Sequence, residues 1–180
     1  MGKQAKCRKA LTLFMIVLFS FAFIFLGFQL FNLRFNFTDS MPIGLYQLQK
    51  GDSLQRGQII MVCLPEGLAQ EGYTRGYLSK SITCPNHIEP VLKKLIAVPP
   101  DNVVLTNTQI IVNDTPLNAP LFRMDRKGRP TNPIPRGEYF KTKLYWIYGE
   151  HDQTYSWDSR YYGGVPRANI IGTAKPLFIF

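Results

Sequence analysis

The chain has 180 residues, of which 46% are hydrophobic and 18% charged, and 21 Lys+Arg against 12 Asp+Glu give a formal net charge of +9. This length fits one ordinary domain with an appendage and excludes a large multidomain enzyme. The hydrophobic content excludes a disordered chain, and the charged fraction lies below the roughly 25% typical of soluble domains.

The first predicted element is an apolar helix over residues 10–33, a segment with no charged side chain. A helix that rises about 1.5 Å per residue needs roughly 20 apolar residues to cross a hydrocarbon core of about 30 Å. The alternative is a cleaved signal peptide, whose apolar region has about 7–15 residues and ends in small residues. Because this segment is longer and no Ala-x-Ala pattern closes it before Arg34, we predict an uncleaved transmembrane anchor.

Four basic residues and no acidic one precede the anchor: Lys3, Lys6, Arg8 and Lys9. The positive-inside rule keeps such an end in the cytoplasm. We therefore expect a cytoplasmic segment at residues 1–9 and an exported domain at residues 34–180. Subtracting these four charges from +9 leaves +5 for the rest of the chain. Much of the excess of basic residues thus serves to keep the N-terminus in the cytoplasm. Nucleic acid is therefore not an expected partner.

Cysteine usage agrees with this orientation. Cys63 and Cys84 fall in the exported part, where a disulfide can form and persist, whereas Cys7 lies on the cytoplasmic side and should be free. A disulfide that closes a loop of this length stabilises a protein by roughly 3 kcal/mol in the chain-entropy model. Two buried thiols are the alternative, and the compartment favours the disulfide.

The exported part is predicted to be mainly β, because short apolar or alternating runs recur between Gly, Pro, Asn and Asp. The strand candidates are residues 45–49, 58–64, 91–98, 103–105, 109–112, 144–148 and 170–174. The pair Asn113-Asp114 predicts a hairpin turn between residues 110–112 and 116–117. One short helix is expected within residues 65–78, with Pro65 and Glu66 at its start.

A proline-rich segment follows at residues 116–136, with five prolines and the basic residues Arg123, Arg126, Lys127 and Arg129. Proline at this density excludes a helix and a central strand, so we predict an exposed loop. A basic patch for lipid headgroups or for an acidic partner is one interpretation. A solvated loop is the other, and it is the one we favour.

The candidate nucleophile is a serine, whose hydroxyl reacts readily only when a neighbouring group takes its proton. A Ser/His/Asp arrangement is conceivable with His151 and either Asp152 or Asp158. A lysine can act as the base instead, if burial in apolar surroundings keeps its amine neutral.

Two adjacent lysines, Lys93 and Lys94, lie inside the predicted strand 91–98. Period-2 alternation places them on opposite faces of the strand. Both faces are apolar, so periodicity does not choose between them. A Lys-Lys pair in a strand is also typical of solvent-facing edge protection.

Three motifs occur in order: Ser40-Met41-Pro42, then Lys93-Lys94 ahead of Pro99-x-Asp101, then Ser156-x-Asp158-Ser159-Arg160-Tyr161. In this order and spacing behind an anchor, they resemble the boxes of type I signal peptidases, which are serine peptidases with a Ser/Lys dyad. The resemblance is closer to the TraF-type branch, the conjugative-transfer peptidases, and covers the anchor and essentially the whole exported domain. The segments that carry this closer resemblance are residues 42–46, 63–65, 75–78 and Cys84.

Two departures from the family pattern affect the supporting groups. Pro100 stands where the family usually has a glycine, and residues 149–152 match its Gly-Asp-Asn-Arg-Asp box only loosely. The positions that match the nucleophile and the base are unaffected.

The resemblance implies a role for each matching residue. Ser40 corresponds to the nucleophile and Lys93, counted back from Pro99, to the general base. Thr38 falls where signal peptidases keep a serine whose hydroxyl, together with the Ser40 backbone N–H, forms the oxyanion hole. A turn or strand residue without a catalytic role is the alternative for Thr38.

Three supporting residues are implied by the third motif. Ser156 matches a serine that orients the lysine in signal peptidases. Asp158 matches an acidic residue that positions groups around the lysine in the TraF-type branch. Arg160 is its expected neighbour, and a purely structural Asp158–Arg160 ion pair is the alternative.

By this resemblance the chain is a signal-peptidase-like antiparallel β domain preceded by one transmembrane helix. Its compartment would be the bacterial cytoplasmic (inner) membrane, with the catalytic domain in the periplasm. The implied partners are the lipid bilayer and a precursor or pilin substrate, with contacts to other conjugation or type IV secretion components left open. No His, Cys or carboxylate spacing resembles a ligand set, so no metal or cofactor is expected.

The implied activity is cleavage of leader peptides from exported precursors, above all a conjugative pilin, with a linear or a cyclic product. A general type I signal peptidase for secreted proteins is the second hypothesis. The third is a non-catalytic anchored protein of the transfer apparatus, which would be expected to lose Ser40 or the lysine. Both residues are present.

Overall fold

In a computed structural model, the chain divides into two compact units, residues 1–34 and residues 35–180. The structure describes residues 2–51, 53–154 and 156–180. The side chains of residues 1–7, 9 and 10 lie outside the described part, so the expectation for the Cys7 thiol is not addressed.

The first unit consists mainly of one helix, α1, which spans Gly2–Leu30. Its segment Leu11–Leu30 is long and apolar enough to cross a membrane, by length and composition. Asn32 then adopts a φ of 50°, a left-handed conformation that asparagine tolerates, and strand β1 begins at Leu33 and ends at Asn36. The expected apolar helix is present, and this turn ends it before the end predicted for the anchor.

The elements of the second unit that follow β1 are β2 Gly44–Gln49, β3 Ile59–Val62, α2 Glu66–Thr74, β4 Val91–Ala97, β5 Val103–Leu105, β6 Gln109–Val112, β7 Thr115–Asn118, β8 Gly137–Tyr139, β9 Trp146–Tyr148, α3 Ser159–Tyr162 and β10 Ile170–Ile179. A six-stranded sheet has the order β1-β2-β10-β3-β4-β9, and a four-stranded sheet has the order β7-β6-β5-β8. Antiparallel registers join neighbours from β2 to β9 in the larger sheet and throughout the smaller one. The mainly β prediction is confirmed.

Strand β4 lies inside the larger sheet, between β3 and β9. Lys93 is in register with Ile60 of β3, and Lys94 is in register with both Ile59 of β3 and Tyr148 of β9. A strand with a neighbour on each side has no free edge to protect. The edge-protection interpretation of the two lysines is therefore wrong.

The predicted hairpin joins β6 to β7, with Val112 opposite Thr115. Asn113 and Asp114 both adopt positive φ, 45° and 65°, as a two-residue type I′ turn requires. Pro116 is therefore part of a strand rather than of the predicted loop. It is tolerated because β7 is an edge strand of the smaller sheet.

A small core cluster supports the segment between β1 and β2. Met41 and Tyr46 are almost fully buried there against Met61, Leu92 and Ala174. Burying one such apolar side chain contributes about 1.5–3 kcal/mol. The cluster fixes the residue that directly follows Ser40.

Candidate active site

Ser40 lies half-buried in the connection between β1 and β2, and this connection is held by the side chain of Asn36. The Asn36 amide nitrogen donates to the carbonyl oxygens of Thr38, Met41 and Pro42 at 2.9, 3.0 and 3.0 Å. These three acceptors lie on both sides of Ser40 in the chain. The loop that carries the candidate nucleophile is therefore bound internally.

The structure distinguishes the two lysines by burial. The Lys93 side chain is almost fully buried, with its residue 4% exposed, and its Nζ donates to Ser156 Oγ at 2.9 Å. Lys94 is about one-third exposed and forms an ion pair with Glu150 at 2.6 Å. Lys93 is thus the lysine in surroundings that disfavour a charge.

Burial lowers the pKa of the Lys93 amine to about 8. The negative charge of Asp158 opposes this shift, and the positive charge of Arg160 adds to it. Desolvation dominates because the ammonium form loses its water shell inside the protein. About half of the Lys93 amine is therefore neutral at pH 8.

Gly149 connects the serine loop to the lysine, because its backbone lies against both. A Cβ atom at this position would overlap Ser156 Oγ and would lie 2.7 Å from Ser156 Cβ and 3.1 Å from Ser40 Cβ. The Gly149 backbone N–H also donates to Asp158 Oδ2 at 3.1 Å. The absence of a side chain at Gly149 thus lets Ser40 and Ser156 approach the same point.

The structure therefore brings Ser40, Lys93, Ser156 and Asp158 into one region. Within the described hydrogen bonds, Lys93 Nζ is joined to Ser156 and not directly to Ser40 Oγ. Sequence reasoning missed the importance of Gly149, although it noted the loosely matching segment 149–152. The glycine that this segment shares with the family box was the available signal.

Asp158 and Arg160 form a buried ion pair, and both residues are 0% exposed. Arg160 Nε donates to Asp158 Oδ1 at 2.9 Å and its Nη2 donates to Oδ2 at 3.0 Å. Arg160 also donates to the carbonyl oxygens of Pro120, Gln153 and Ser156. The structural ion pair is present, and its two charges also act on the Lys93 pKa.

The Thr38 side chain is exposed and lies beside the serine, with its Oγ1 3.5 Å from Ser40 Oγ. The Thr38 hydroxyl donates to Asn36 Oδ1 at 2.8 Å. Thr38 is thus in reach of the candidate nucleophile, as an oxyanion-hole residue must be. In this conformation its hydrogen is directed to Asn36.

His151 also lies beside the serine loop, but in a different role from that of a triad base. Its backbone N–H donates to the Ser40 carbonyl at 3.3 Å, and its Nδ1 is 3.1 Å from the Asp39 carbonyl oxygen. Among the contacts described for this part of the chain, none joins the His151 ring to Asp152 or Asp158. The Ser/His/Asp alternative therefore has no geometric support.

The proline-rich segment reaches this region through Arg126. The Arg126 guanidinium is 3.6 Å from Asp39 and 3.7 Å from Asp152, and Asp39 directly precedes Ser40. The pairs are solvent-exposed, so each contributes at most about 1 kcal/mol to stability. They place a positive charge beside two carboxylates next to the candidate nucleophile.

The same segment is anchored by Asp125, whose side-chain carboxylate accepts from Tyr77 Oη and Arg129 Nε at 2.8 Å each. Burial raises the pKa of Asp125. Hydrogen bonds from Arg129 and Tyr77 outweigh this effect and hold the pKa well below its usual range. Asp125 thus ties the segment to Tyr77 and Arg129, while residues 126–128 beside it are exposed, as expected for an exposed loop.

The predicted disulfide is present. Cys63 and Cys84 are bonded, with their Cα atoms 5.6 Å apart, and both residues are buried. The bond ties the end of β3 to the loop that precedes β4.

Comparison with known proteins identifies the family. The sequence profile described as signal peptidase, peptidase S26, matches residues 6–179. The chain belongs to the peptidase S26 family. Membership of this family identifies it as a peptidase of the signal-peptidase type. Its N-terminal apolar helix is the structural element of a membrane anchor.

Three individual proteins that are similar to this chain are named for conjugal or plasmid transfer. The chain is 31% identical to the conjugal transfer protein TraF of Agrobacterium fabrum over 150 residues, which cover 82% of each chain. It is 33% identical to the probable conjugal transfer protein TraF of Sinorhizobium fredii, over 82% of this chain and 77% of that protein. It is 29% identical to the plasmid transfer protein TraF of Escherichia coli, over 80% and 81%.

Among solved structures, the S26 chain is similar to a signal peptidase I from Enterococcus faecalis. The two share 19% identity with a TM-score of 0.34, over 68% of this chain and 97% of the other.

Proposed function

We propose that this S26 peptidase is a membrane-anchored serine endopeptidase in which Ser40 is the nucleophile and Lys93 is the general base. Its substrates are exported precursors with leader peptides, and the principal one is a conjugative pilin. The single observation that carries the proposal is the buried Lys93. A lysine with a pKa of about 8, joined to Ser156 beside Gly149 and Ser40, has the properties that serine activation requires.

The reaction follows from these positions. Neutral Lys93 takes the hydroxyl proton of Ser40, and Ser40 Oγ forms a bond with the scissile carbonyl carbon. The resulting oxyanion is stabilised by the Ser40 backbone N–H and the Thr38 hydroxyl. The C–N bond then breaks, and the Lys93 ammonium returns its proton to the departing amine.

The acyl-enzyme is resolved by a second nucleophile. Neutral Lys93 removes a proton from water, and the hydroxide oxygen displaces Ser40 to give a linear carboxylic acid. When the cleaved bond instead lies at the C-terminal end of the segment that is kept, that segment is the acyl group on Ser40 and its own N-terminal amine can attack. Lys93 then takes a proton from this amine, the new amide bond forms as the ester bond to Ser40 breaks, and the product is cyclic. In both cases Ser40 regains its proton from the Lys93 ammonium.

The substrate class is supported by the position of the serine in the chain. Ser40 follows the candidate membrane span Leu11–Leu30 by ten residues, so even an extended connection of that length covers only about 33–36 Å. A peptidase tethered in this way meets precursors that cross or leave the bilayer. The names of the conjugal-transfer relatives support a role in conjugation, and a pilin is the precursor that we propose for this role.

The orientation is supported by charge. Basic residues precede the span, so the N-terminus is assigned to the cytoplasm and the peptidase domain to the periplasm. The disulfide between Cys63 and Cys84 agrees with an oxidising compartment.

The test is the intact mass of a candidate pilin precursor after co-expression with wild type, Ser40→Ala, Lys93→Ala or Lys94→Ala. Loss of the leader mass with wild type and Lys94→Ala alone is the expected result. A product that is one water lighter than the linear product of the same cleavages indicates cyclisation. Processing that survives Ser40→Ala contradicts the mechanism. A precursor left intact by wild type, with other secreted precursors cleaved, indicates a general signal peptidase instead.

A further inference from the structure

The side chain of Asn36, at the end of β1, makes five hydrogen bonds to residues 38–42, the loop that carries Ser40. The residue is 8% exposed. Its amide nitrogen donates to three carbonyl groups that flank Ser40. Its Oδ1 accepts from the Thr38 backbone N–H at 3.2 Å and from the Thr38 hydroxyl at 2.8 Å.

These partners fix the orientation of the Asn36 amide. Carbonyl oxygens can only accept, so the NH2 group must face them and share its two hydrogens among them. The Oδ1 atom must then face the two Thr38 donors. A flipped amide would place an oxygen against three other oxygens and would leave the Thr38 donors without an acceptor.

The orientation of Asn36 in turn fixes the direction of the Thr38 hydroxyl. A hydroxyl has one hydrogen, and that of Thr38 is given to Asn36 Oδ1. At the 3.5 Å contact between Thr38 Oγ1 and Ser40 Oγ, the Ser40 hydroxyl is therefore the donor. Hydrogen bonds thus run from Ser40 to Thr38 and from Thr38 to Asn36.

We propose that Asn36 is a positioning residue for the reaction at Ser40 and that it acts through Thr38 and the three loop carbonyls. This inference rests on the proposed function, in which Ser40 is the nucleophile. Asn36 holds the loop so that Ser40 stays against Gly149. It also holds the Thr38 hydroxyl beside Ser40 Oγ until the developing oxyanion competes for the same hydrogen.

The inference predicts a specific pattern of rates. Asn36→Ala removes the amide and is expected to slow acylation of Ser40 by about 10- to 100-fold, because small misplacements of reacting groups have effects of this size. Thr38→Val removes the hydroxyl that Asn36 holds. In that background Asn36→Ala is expected to slow acylation less than it does in wild type, because part of what Asn36 controls is already absent.

Two further variants separate positioning from folding. Asn36→Ser keeps a hydroxyl that can donate its one hydrogen to a loop carbonyl and sets no carboxylate oxygen against these carbonyls, so it should lose part of the rate and stay sensitive to Thr38→Val. It also serves if Asn36→Ala does not fold. Asn86→Ala is the matched control, because Asn86 likewise donates to a carbonyl, that of Leu64, at 3.0 Å and accepts from the Ile88 N–H at 3.2 Å. It should lower Tm without changing acylation.

The experiment uses the full-length protein in detergent micelles with p-nitrophenyl acetate as the acyl donor. The rate at which one acetyl group is added to Ser40 is followed by peptide mass, and Tm is measured on the same samples. Slower acylation in both Asn36 variants, with a smaller effect of Asn36→Ala in Thr38→Val, supports the inference.

Two results overturn the inference while leaving the proposed function standing. One is acylation of Asn36→Ala at the wild-type rate. The other is an equal slowing with and without the Thr38 hydroxyl, matched by a loss of Tm like that of Asn86→Ala. If wild-type Ser40 is never acetylated, the proposed nucleophile fails, and the inference is overturned with it.

Discussion

Lys93→Met is expected to stabilise the folded protein while abolishing its activity. Lowering the pKa of Lys93 from 10.5 to about 8 costs the folded state roughly 3 kcal/mol at pH 7, since each unit corresponds to about 1.4 kcal/mol. Methionine has a similar length and carries no charge. The variant loses the hydrogen bond to Ser156, which is worth about 1 kcal/mol. The expected net gain is therefore about 2 kcal/mol, or roughly 4–8 °C in Tm.

The destabilisation that the buried Lys93 causes depends on pH in a direction that its pKa fixes. The folded-state pKa lies below the unfolded value, so between about pH 8 and 10.5 the unfolded state binds more protons and stability rises with pH. The destabilisation of the folded state by Lys93 is fully present below about pH 8 and disappears above about pH 10.5. The stability difference between wild type and Lys93→Met should thus narrow by about 1 kcal/mol from pH 7 to pH 9.

Urea denaturation of the full chain in detergent micelles, followed by near-UV circular dichroism at both pH values, measures this difference. Lys94→Met is the matched control. Its exposed pair with Glu150 is worth at most about 1 kcal/mol, so replacing Lys94 should change stability far less than replacing Lys93. A destabilised Lys93→Met variant, or a difference that stays constant from pH 7 to pH 9, would refute the assignment of a buried, neutral Lys93.

Three further changes test the surroundings of the site. Gly149→Ala sets a methyl group against Ser156 and should slow acetylation of Ser40 at least about tenfold; an unchanged rate would remove Gly149 from the site. Asp158→Asn leaves the buried Arg160 guanidinium unpaired and should lower the free energy of urea unfolding by about 3–5 kcal/mol. It should also move the midpoint of the pH–rate profile below that of wild type, because the Asp158 charge raises the Lys93 pKa, and an upward move would contradict this sign. Replacing both disulfide cysteines by alanine should lower the free energy of urea unfolding by about 3 kcal/mol, and equal stability would show that the bond contributes nothing.

The regular parts of the fold were largely predictable from local patterns. The strands Val103–Leu105 and Gln109–Val112 have the predicted bounds, because a turn signal follows the second and short apolar runs define both. Strand β10 was predicted only to residue 174 and extends to Ile179. A proline has no N–H for a strand ladder, yet Pro176 lies opposite Tyr46 of β2, and beyond a register shift between Pro176 and Phe178 the pairing continues to Ile179.

The candidate site was predictable only in part. Alternation separates the two faces of β4 but does not say which one the rest of the chain covers. The choice of Lys93 came from family resemblance, and its burial became visible only in the folded sheet. The contacts of Gly149 and of Arg126 join segments far apart in sequence, so no local pattern contains them.

The most direct test of the central claim is the pH dependence of Ser40 acetylation by p-nitrophenyl acetate, with Ser40→Ala subtracted as background. If neutral Lys93 is the base, the rate rises about tenfold from pH 7 to pH 9 with a midpoint near the Lys93 pKa of about 8. Lys94→Ala should keep this profile, and Lys93→Ala should lose it. A midpoint near 6.5, the usual pKa of histidine, or a rate independent of pH would contradict the claim.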